Sequence, residues 1–303
     1  NAPVALLYDP ASFDGGLTLN ANAAVSFAAS IAQAGVTPRW IAGLNIADNA
    51  SVMLAPKSGA SDATVLVLSQ LNVAPTGRLD LGYGALIAKG GNLATITAKL
   101  ATGMSTAGLG AWNGYGIMSA TAAGDSSHIR AVGVMLNDNG HGGPIYGATT
   151  PYGPFEGQNP ATGDVLVRLT YYGDADLSGQ VDGGDYSKTD NGFNTRMGTS
   201  AGWSNGDYNY DGTVDGSDYA LIDNAFALQS AQPAARPVGY LPPPMTASTA
   251  SVVDAHPAAQ IRAASAPSSP ALKVFLVRDL LSAPDDLHGV PNKSPDGPTL
   301  LQK

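Results

Sequence analysis

The chain has 303 residues, of which 44% are hydrophobic, and it contains no cysteine, so it can bury a sizeable core but forms no disulfide or thiolate metal site. Its 37 glycines and 21 prolines, with only 13% charged residues, favour a β-rich architecture with many turns. The formal net charge is −9. Because no run of about 18 apolar residues occurs, the sequence predicts no membrane span. Because the basic residues form no patch, nucleic-acid binding is not expected.

The N-terminal part predicts a mainly β domain over residues 1–172, of sandwich or jelly-roll type. Short apolar segments alternate there with turns rich in Gly, Asn and Asp. The predicted strands are residues 4–8, 16–19, 24–28, 64–68, 78–81, 85–88, 117–119, 130–136 and 164–172. In the last segment apolar side chains recur at every second position, which predicts a strand buried on one face. One helix is predicted between Asn92, as its N-cap, and Gly103, as its terminator.

The acidic residues are concentrated in one segment. Residues 164–229 contain 11 Asp against three basic residues, which gives −8 of the chain's −9. Within this segment residues 174–185 align without gaps with residues 207–218, at an offset of 207 − 174 = 33. Carboxylates repeated in this way indicate a place where cations are held, not a solvated acidic surface.

Each repeat has the pattern of a twelve-residue calcium loop. Such a loop supplies side-chain oxygens from positions one, three, five, nine and twelve and a backbone carbonyl from position seven, with glycine at the sixth position for a sharp turn. The sequence therefore predicts two bound Ca²⁺ ions. The predicted ligands are Asp174, Asp176, Ser178, the Gln180 carbonyl, Asp182 and Asp185 for the first ion, and Asp207, Asn209, Asp211, the Thr213 carbonyl, Asp215 and Asp218 for the second.

A helix is predicted after each loop, over residues 186–191 with Gly192 as terminator and over residues 219–228, but no helix is predicted before either loop. A full EF-hand needs both helices, so each repeat is a half EF-hand. With these motifs residues 173–229 resemble a dockerin type I module, the paired loop-helix unit of bacterial extracellular proteins. The resemblance implies an extracellular or cell-surface location and a cohesin-like protein partner.

The family's partner contacts fall at the tenth and eleventh loop positions and on the helices. Those loop positions are Gly183, Gly184, Gly216 and Ser217, and three of the four have no side-chain hydroxyl. The hydrogen bonds typical of a cohesin contact therefore cannot all form. A cohesin partner and a purely stabilising clamp remain alternatives for the module.

The C-terminal part predicts a tether with a docking segment. Residues 230–271 are rich in Ala, Pro and Ser without periodicity, which predicts a low-complexity linker. Residues 272–303 begin with an apolar island at 272–281, which is typical of a segment that docks on another surface. We expect it to pack on a neighbouring subunit of an assembly, with residues 273–277 as a possible added strand; packing on its own β domain is the alternative.

No catalytic constellation is predicted. The four histidines show no metal-ligand spacing, no Gly-x-Ser-x-Gly motif occurs, and Asp125 and His128 are close only in sequence. We therefore expect a non-catalytic, extracellular calcium-binding structural or assembly protein. The alternatives are a docking or carbohydrate-binding module, or part of a larger secreted hydrolase. Because the chain begins with Asn1, we expect a removed signal peptide or a longer precursor.

Overall fold

The computed structural model describes residues 4–6, 12–28, 36–55, 63–104, 111–195 and 202–229, and the predicted linker and docking segment at 230–271 and 272–303 lie outside them. The described residues form eleven strands and four α-helices. The strands are β1 (Val4–Leu6), β2 (Ser12–Leu19), β3 (Ala24–Ala28), β4 (Thr37–Ile46), β5 (Ser51–Ala55), β6 (Thr64–Val73), β7 (Arg78–Asp80), β8 (Ala85–Ala88), β9 (Gly116–Met118), β10 (Arg130–Leu136) and β11 (Val165–Tyr171), and the helices are α1 (Leu93–Met104), α2 (Ala120–Ala123), α3 (Gly183–Thr195) and α4 (Gly216–Leu228).

The strands lie in two sheets that share one hydrophobic core. The first sheet has the order β1-β3-β5-β7-β9, and every pair in it is parallel. The second has the order β10-β11-β8-β6-β4-β2, and its pairs from β2 to β8 are also parallel. Successive strands of the chain from β1 to β9 alternate between the sheets, so each coil contributes one strand to each.

The coils from β2 to β7 repeat with a period of 27 residues. In the second sheet Leu17 pairs with Leu44 and Leu44 with Leu71, and the side chains of Asn45 and Asn72, 27 residues apart, bond at 2.8 Å. In the first sheet Val25 pairs with Val52. Within these coils apolar residues stack on their equivalents in the next coil, and they contribute to the core between the sheets. The fold is a parallel β-solenoid.

The predicted mainly β character is confirmed, and two sheets do enclose one core as in a sandwich. The jelly-roll arrangement is wrong for the described strands, because a jelly roll is antiparallel and antiparallel pairing is confined here to β8, β11 and β10. β4 and β5 were not predicted. Pro38, Arg39 and Gly43 interrupt the alternation of β4, and its regularity lies in the 27-residue repeat instead.

Strand β11 is buried along its whole length, on both faces, where one buried face was predicted. One face adds to the solenoid core. On the other face, the Arg168 side chain donates to the Leu177 carbonyl at 3.1 Å and the Thr170 hydroxyl donates to the Asp174 carboxylate. The acidic repeat segment therefore packs directly on the last strands of the solenoid.

A long excursion between β10 and β11 is organised around one buried side chain. The Asn137 carboxamide oxygen accepts the N–H groups of Ile145 and Tyr146 at 3.0 and 2.8 Å, and its nitrogen donates to the carbonyls of Tyr146, Pro160 and Ala161. Because both ends of the excursion bond to the same amide, residues 138–163 form an ordered loop held against the end of the solenoid.

Two glycines predicted as helix terminators lie inside helices. Helix α1 begins after Asn92, whose side chain accepts the Thr95 N–H at 2.9 Å as predicted, but it continues past Gly103. A Cβ at Gly103 would lie 1.7 Å from the Ile117 carbonyl oxygen, and one at Gly192 in α3 would lie 1.9 Å from the Asn205 oxygen. Both glycines allow close packing of a helix on another segment.

Candidate metal centre

The first repeat brings three carboxylates together. One oxygen from each of Asp174, Asp176 and Asp185 lies within 4.8 Å of the other two, and Asp174 and Asp185 are buried. In the part of the chain that the structure describes, no other group of three His or carboxylate side chains converges in this way. Loop positions one, three and twelve therefore meet as the sequence predicts.

Backbone N–H groups fix the two buried carboxylates. Asp174 accepts the N–H groups of Ser178 and Gly179, both at 2.8 Å. Asp185, in the first turn of α3, accepts the N–H groups of Ala175 and Asp182, both at 2.9 Å. The chain thus wraps around these carboxylates and brings both ends of the loop to one point.

The remaining predicted ligands of the first loop lie at its rim. The Ser178 hydroxyl donates to the Gln180 carbonyl at 3.2 Å, so positions five and seven are adjacent. Asp182 is exposed, and its carboxylate accepts the Gly184 N–H at 2.7 Å at the start of α3. This arrangement would let Asp182 contact a bound ion through a water molecule.

The second loop repeats the backbone of the first. Asp207 accepts the N–H groups of Asp211 and Gly212 at 3.1 and 3.0 Å, and Asp218 accepts that of Tyr208 at 2.8 Å. The residues Leu177 and Tyr210 have φ of 56° and 59°, and the sixth-position Gly179 and Gly212 have 91° and 89°. Since L side chains rarely adopt the latter conformation, glycine is needed at this turn.

The other predicted ligands of the second loop bond to one another or to neighbouring residues of the same loop. The Asn209 amide donates to Asp211 at 2.8 Å, and Asp211 accepts the Thr213 hydroxyl at 2.7 Å. Asp215 is the N-cap of α4 and accepts the Ser217 N–H at 2.8 Å, while its own N–H bonds to Asp218. All six positions of this loop are therefore in one hydrogen-bonded unit.

Burial raises the pKa of the innermost carboxylates. Removal from water raises the pKa of Asp174 to about 7 and that of Asp185 to about 6. The negative charges of Asp185 and Asp176 raise the pKa of Asp174 further. In the second loop burial likewise raises the pKa of Asp207 to about 7 and raises that of Asp218. A divalent cation would offset these costs, and an all-oxygen donor set of carboxylate, hydroxyl and carbonyl groups fits Ca²⁺.

The two loop-helix units are related by an approximate two-fold axis. The Tyr186 hydroxyl of α3 donates to Asp223 of α4 at 2.6 Å, and the equivalent Tyr219 of α4 donates to Asp190 of α3 at 2.5 Å. Two edge-to-face ring contacts, Tyr186 with Phe226 and Tyr219 with Phe193, follow the same symmetry. Both phenylalanines stay about half exposed, at 52% and 50%.

Val181, at the eighth position of the first loop, bonds to a residue near the end of the module. The carboxamide of Gln229, just after α4, takes both backbone groups of Val181. It accepts the N–H at 2.7 Å and donates to the carbonyl at 2.7 Å. The end of α4 therefore closes the first loop.

Several residues outside the repeats contact the first loop, and sequence reasoning missed them. The Trp203 indole donates to the Asp174 carbonyl at 2.6 Å. From the excursion, the Tyr146 hydroxyl donates to the Asp176 carbonyl and the Tyr152 hydroxyl to the Asp176 carboxylate, both at 2.9 Å. These partners lie 24 to 30 residues from the ligands they contact and belong to no repeat, so no spacing in the sequence marks them.

The Asp125 and His128 pair is part of a turn. The Asp125 carboxylate accepts the backbone N–H groups of Ser127, Ile129 and Arg130 at 3.0 to 3.1 Å, and the His128 N–H donates to the Asp125 carbonyl. These bonds give the carboxylate a structural role before β10.

Two calcium-type loops, each followed by one helix and related by a two-fold axis, define a paired half EF-hand module. Residues 172–227 match the family model of the dockerin type I domain, so the chain carries a dockerin type I module. Dockerin domains bind calcium and dock to cohesin partners in secreted or cell-surface assemblies. No curated protein and no solved structure matches the chain. None of the helices described here is long and apolar enough to cross a membrane.

Proposed function

We propose that the chain is a non-catalytic structural subunit of an extracellular or cell-surface assembly, in which two calcium ions stabilise the end of a β-solenoid. The location is supported by the dockerin module, which is typical of secreted and cell-surface proteins. The observation that carries the proposal is that the module and the solenoid share a single hydrophobic core.

Aromatic side chains make the shared core. Trp203 is buried, stacks on Tyr210 with ring centroids 5.5 Å apart and contacts Tyr172 at the end of β11. The Tyr210 hydroxyl donates to the Val132 carbonyl of β10 at 2.6 Å, and the Trp112 indole donates to the Tyr172 hydroxyl at 2.9 Å. A module that only carries a docking surface needs no such contacts, whereas a clamp on the solenoid requires them.

In this proposal the twelve predicted ligands hold two Ca²⁺ ions, with dissociation constants of roughly 10⁻⁶ to 10⁻³ M. Isothermal titration of the decalcified chain should show two binding events. Asp185→Ala should remove the first and Asp218→Ala the second, because each supplies the twelfth ligand and closes its own loop. Wild-type binding by both variants would refute the ligand assignment.

The assembly contact is assigned to residues 272–303, which carry the apolar island. Size-exclusion chromatography and electron microscopy, with calcium and with EGTA, test this role. We expect calcium-dependent self-assembly of the full chain, and we expect truncation at Ser230 to abolish it. Assembly that is unchanged by the truncation would remove the tail from the proposal.

Docking to a cohesin-like protein is the second candidate function. The observation that favours it is the exposed face of α3 and α4, where Phe193 and Phe226 flank the two Tyr–Asp hydrogen bonds. Exposed aromatic side chains near the centre of a face are common binding anchors. A chain that stays monomeric in calcium and binds a cohesin-like scaffold, with loss of binding in a Phe193→Ala, Phe226→Ala double variant, would favour docking over self-assembly.

A further inference from the structure

The two calcium loops differ in what holds their third ligand. In the first loop Asp176 Oδ2 accepts the Tyr152 hydroxyl at 2.9 Å and lies 3.2 Å from Lys188 Nζ, while Oδ1 accepts the Ser178 N–H at 3.1 Å. In the second loop Asn209 occupies this position, and its amide donates to Asp211 and Ser217 of the same loop at 2.8 and 2.9 Å. Side chains from outside the loop therefore hold the third position of the first loop, whereas residues of the same loop hold the third position of the second.

The Tyr152 side chain comes from a well-anchored part of the excursion. Its ring packs 5.2 Å from that of Tyr146, which in turn makes an edge-to-face contact with Phe155 at 5.2 Å. Tyr146 also donates to the carbonyl of Asp176, so the same loop residue is held at its backbone and at its side chain. Two neighbouring tyrosines thus fix both the position and the rotation of one carboxylate.

A buried ion pair braces the same segment against the strand below it. Glu156, the only glutamate of the chain, lies 3.4 Å from Arg168 of β11, and both side chains are about nine-tenths or more buried, at 6% and 5% exposure. Arg168 also donates to the Leu177 carbonyl in the first loop. The excursion, β11 and the loop are therefore tied together by groups that have no room to move independently.

We propose that Tyr152 is a positioning residue of the first calcium site, and that its contact makes the first loop the tighter of the two sites. The inference rests on the proposed calcium binding. Both outer donors contact Oδ2 of Asp176, whereas Oδ1 accepts the Ser178 N–H within the loop. One carboxylate oxygen of Asp176 lies within 4.8 Å of an oxygen of Asp174 and of Asp185. A ligand oriented before the ion arrives loses less conformational freedom on binding, and loss of such an outer contact typically costs about 10- to 100-fold in metal affinity.

The test uses the full chain with one loop disabled at a time. In an Asp218→Ala background only the first loop binds, and adding Tyr152→Phe should weaken calcium binding about tenfold by isothermal titration. In an Asp185→Ala background only the second loop binds, and the same change should leave its affinity unchanged. Comparison of the two backgrounds without the Tyr152 change should show at least a tenfold tighter first site.

Tyr219→Phe is the matched control. It removes a bond of the same kind, from a tyrosine hydroxyl to a carboxylate, which is shorter at 2.5 Å, but Asp190 is not a predicted ligand. The calcium affinity of the Tyr219→Phe variant should equal that of its parent in both backgrounds. A spectroscopic readout comes from Tb³⁺ bound in place of calcium. Tyrosine sensitises its luminescence only at close range, so Tyr152→Phe should reduce the emission of the first site alone.

Each outcome has one meaning. Unchanged affinity of the first loop in Tyr152→Phe would overturn the positioning role. Equal losses in both loops would also overturn it, since they would show that Tyr152 acts only through the stability of the fold. Absence of calcium binding in both backgrounds and in the unmodified chain would instead refute the proposed function itself.

Discussion

We expect the buried carboxylates at the first position of each loop to make the stability of the fold depend on pH differently with and without calcium. Burial raises the pKa of Asp174 and of Asp207 to about 7, from about 3.9 in an unfolded chain. Because these folded-state values are raised, the ion-free fold is favoured while both groups are protonated. That contribution is complete below about pH 4 and is lost as pH rises through about 7.

Calcium should reverse the loss, because it binds the ionised form. We therefore expect the calcium-induced rise in melting temperature to be larger at pH 7.5 than at pH 5, as followed by circular dichroism in calcium and in EGTA. Asp174→Asn, which cannot titrate, is the control and should flatten the part of this dependence that belongs to the first loop. A calcium effect of the same size at both pH values would contradict the prediction.

Single residues show which part of the site the sequence could predict. The convergence of Asp174, Asp176 and Asp185 could be predicted because a calcium loop requires oxygens at fixed positions, and the 33-residue repeat doubles that signal. Tyr152 and Tyr146 were not found, because their role depends on how the excursion folds back over the loop. Candidate ligands follow from local spacing, whereas the groups that contact them follow from tertiary structure.

At the scale of elements, strand β10 can approach the module closely because Gly133 has no side chain. A Cβ at Gly133 would lie 2.6 Å from Leu177 Cδ2 and 2.7 Å from the Trp203 ring. Gly133→Ala should therefore push the module away from the strand and destabilise the chain by about 1 to 3 kcal/mol. Chemical denaturation in saturating calcium measures this loss.

Gly16→Ala is the matched control for that change, since it also adds a methyl group to a strand glycine. The new Cβ would meet only the Gly43 oxygen, at an ordinary 3.7 Å, so stability should change little. Calcium affinity should fall in Gly133→Ala and not in Gly16→Ala. Equal effects of the two variants would show that the contact of β10 with Trp203 does not bind the module to the solenoid.

Elements were predicted well where their pattern is local. β3, β8 and β10 have the predicted bounds, since each is a short apolar run between turns. β4 was missed because its regularity is the pairing of Leu44 with Leu17 and Leu71 in other coils. β11 was predicted with one solvent-facing side, and the module covers that side. Contacts between distant segments decide both cases.

At the scale of the whole molecule, the continuous core argues that solenoid and module fold as one cooperative unit. The buried cluster runs from the first coils, at Leu19 and Val52, through Tyr172 to Ile222 in α4 without interruption. The predicted boundary at residue 173 thus marks a change of motif along the chain, and the packing continues across it. Calcium binding energy should then stabilise the solenoid as well as the module.

Heat unfolding with two probes tests this coupling. Tryptophan fluorescence reports chiefly on the interface, where Trp112 and Trp203 are buried, whereas far-ultraviolet circular dichroism reports on the strands. In calcium both probes should give one midpoint, and EGTA should lower the two midpoints together, because the ion is bound only by the folded unit. Leu79→Ala creates a cavity in the solenoid, far along the chain from both loops, and should lower the midpoint seen by both probes together. Calcium should then still raise both midpoints by the same amount. If EGTA instead moves only the fluorescence transition, the module unfolds separately, and the clamp on the solenoid is excluded.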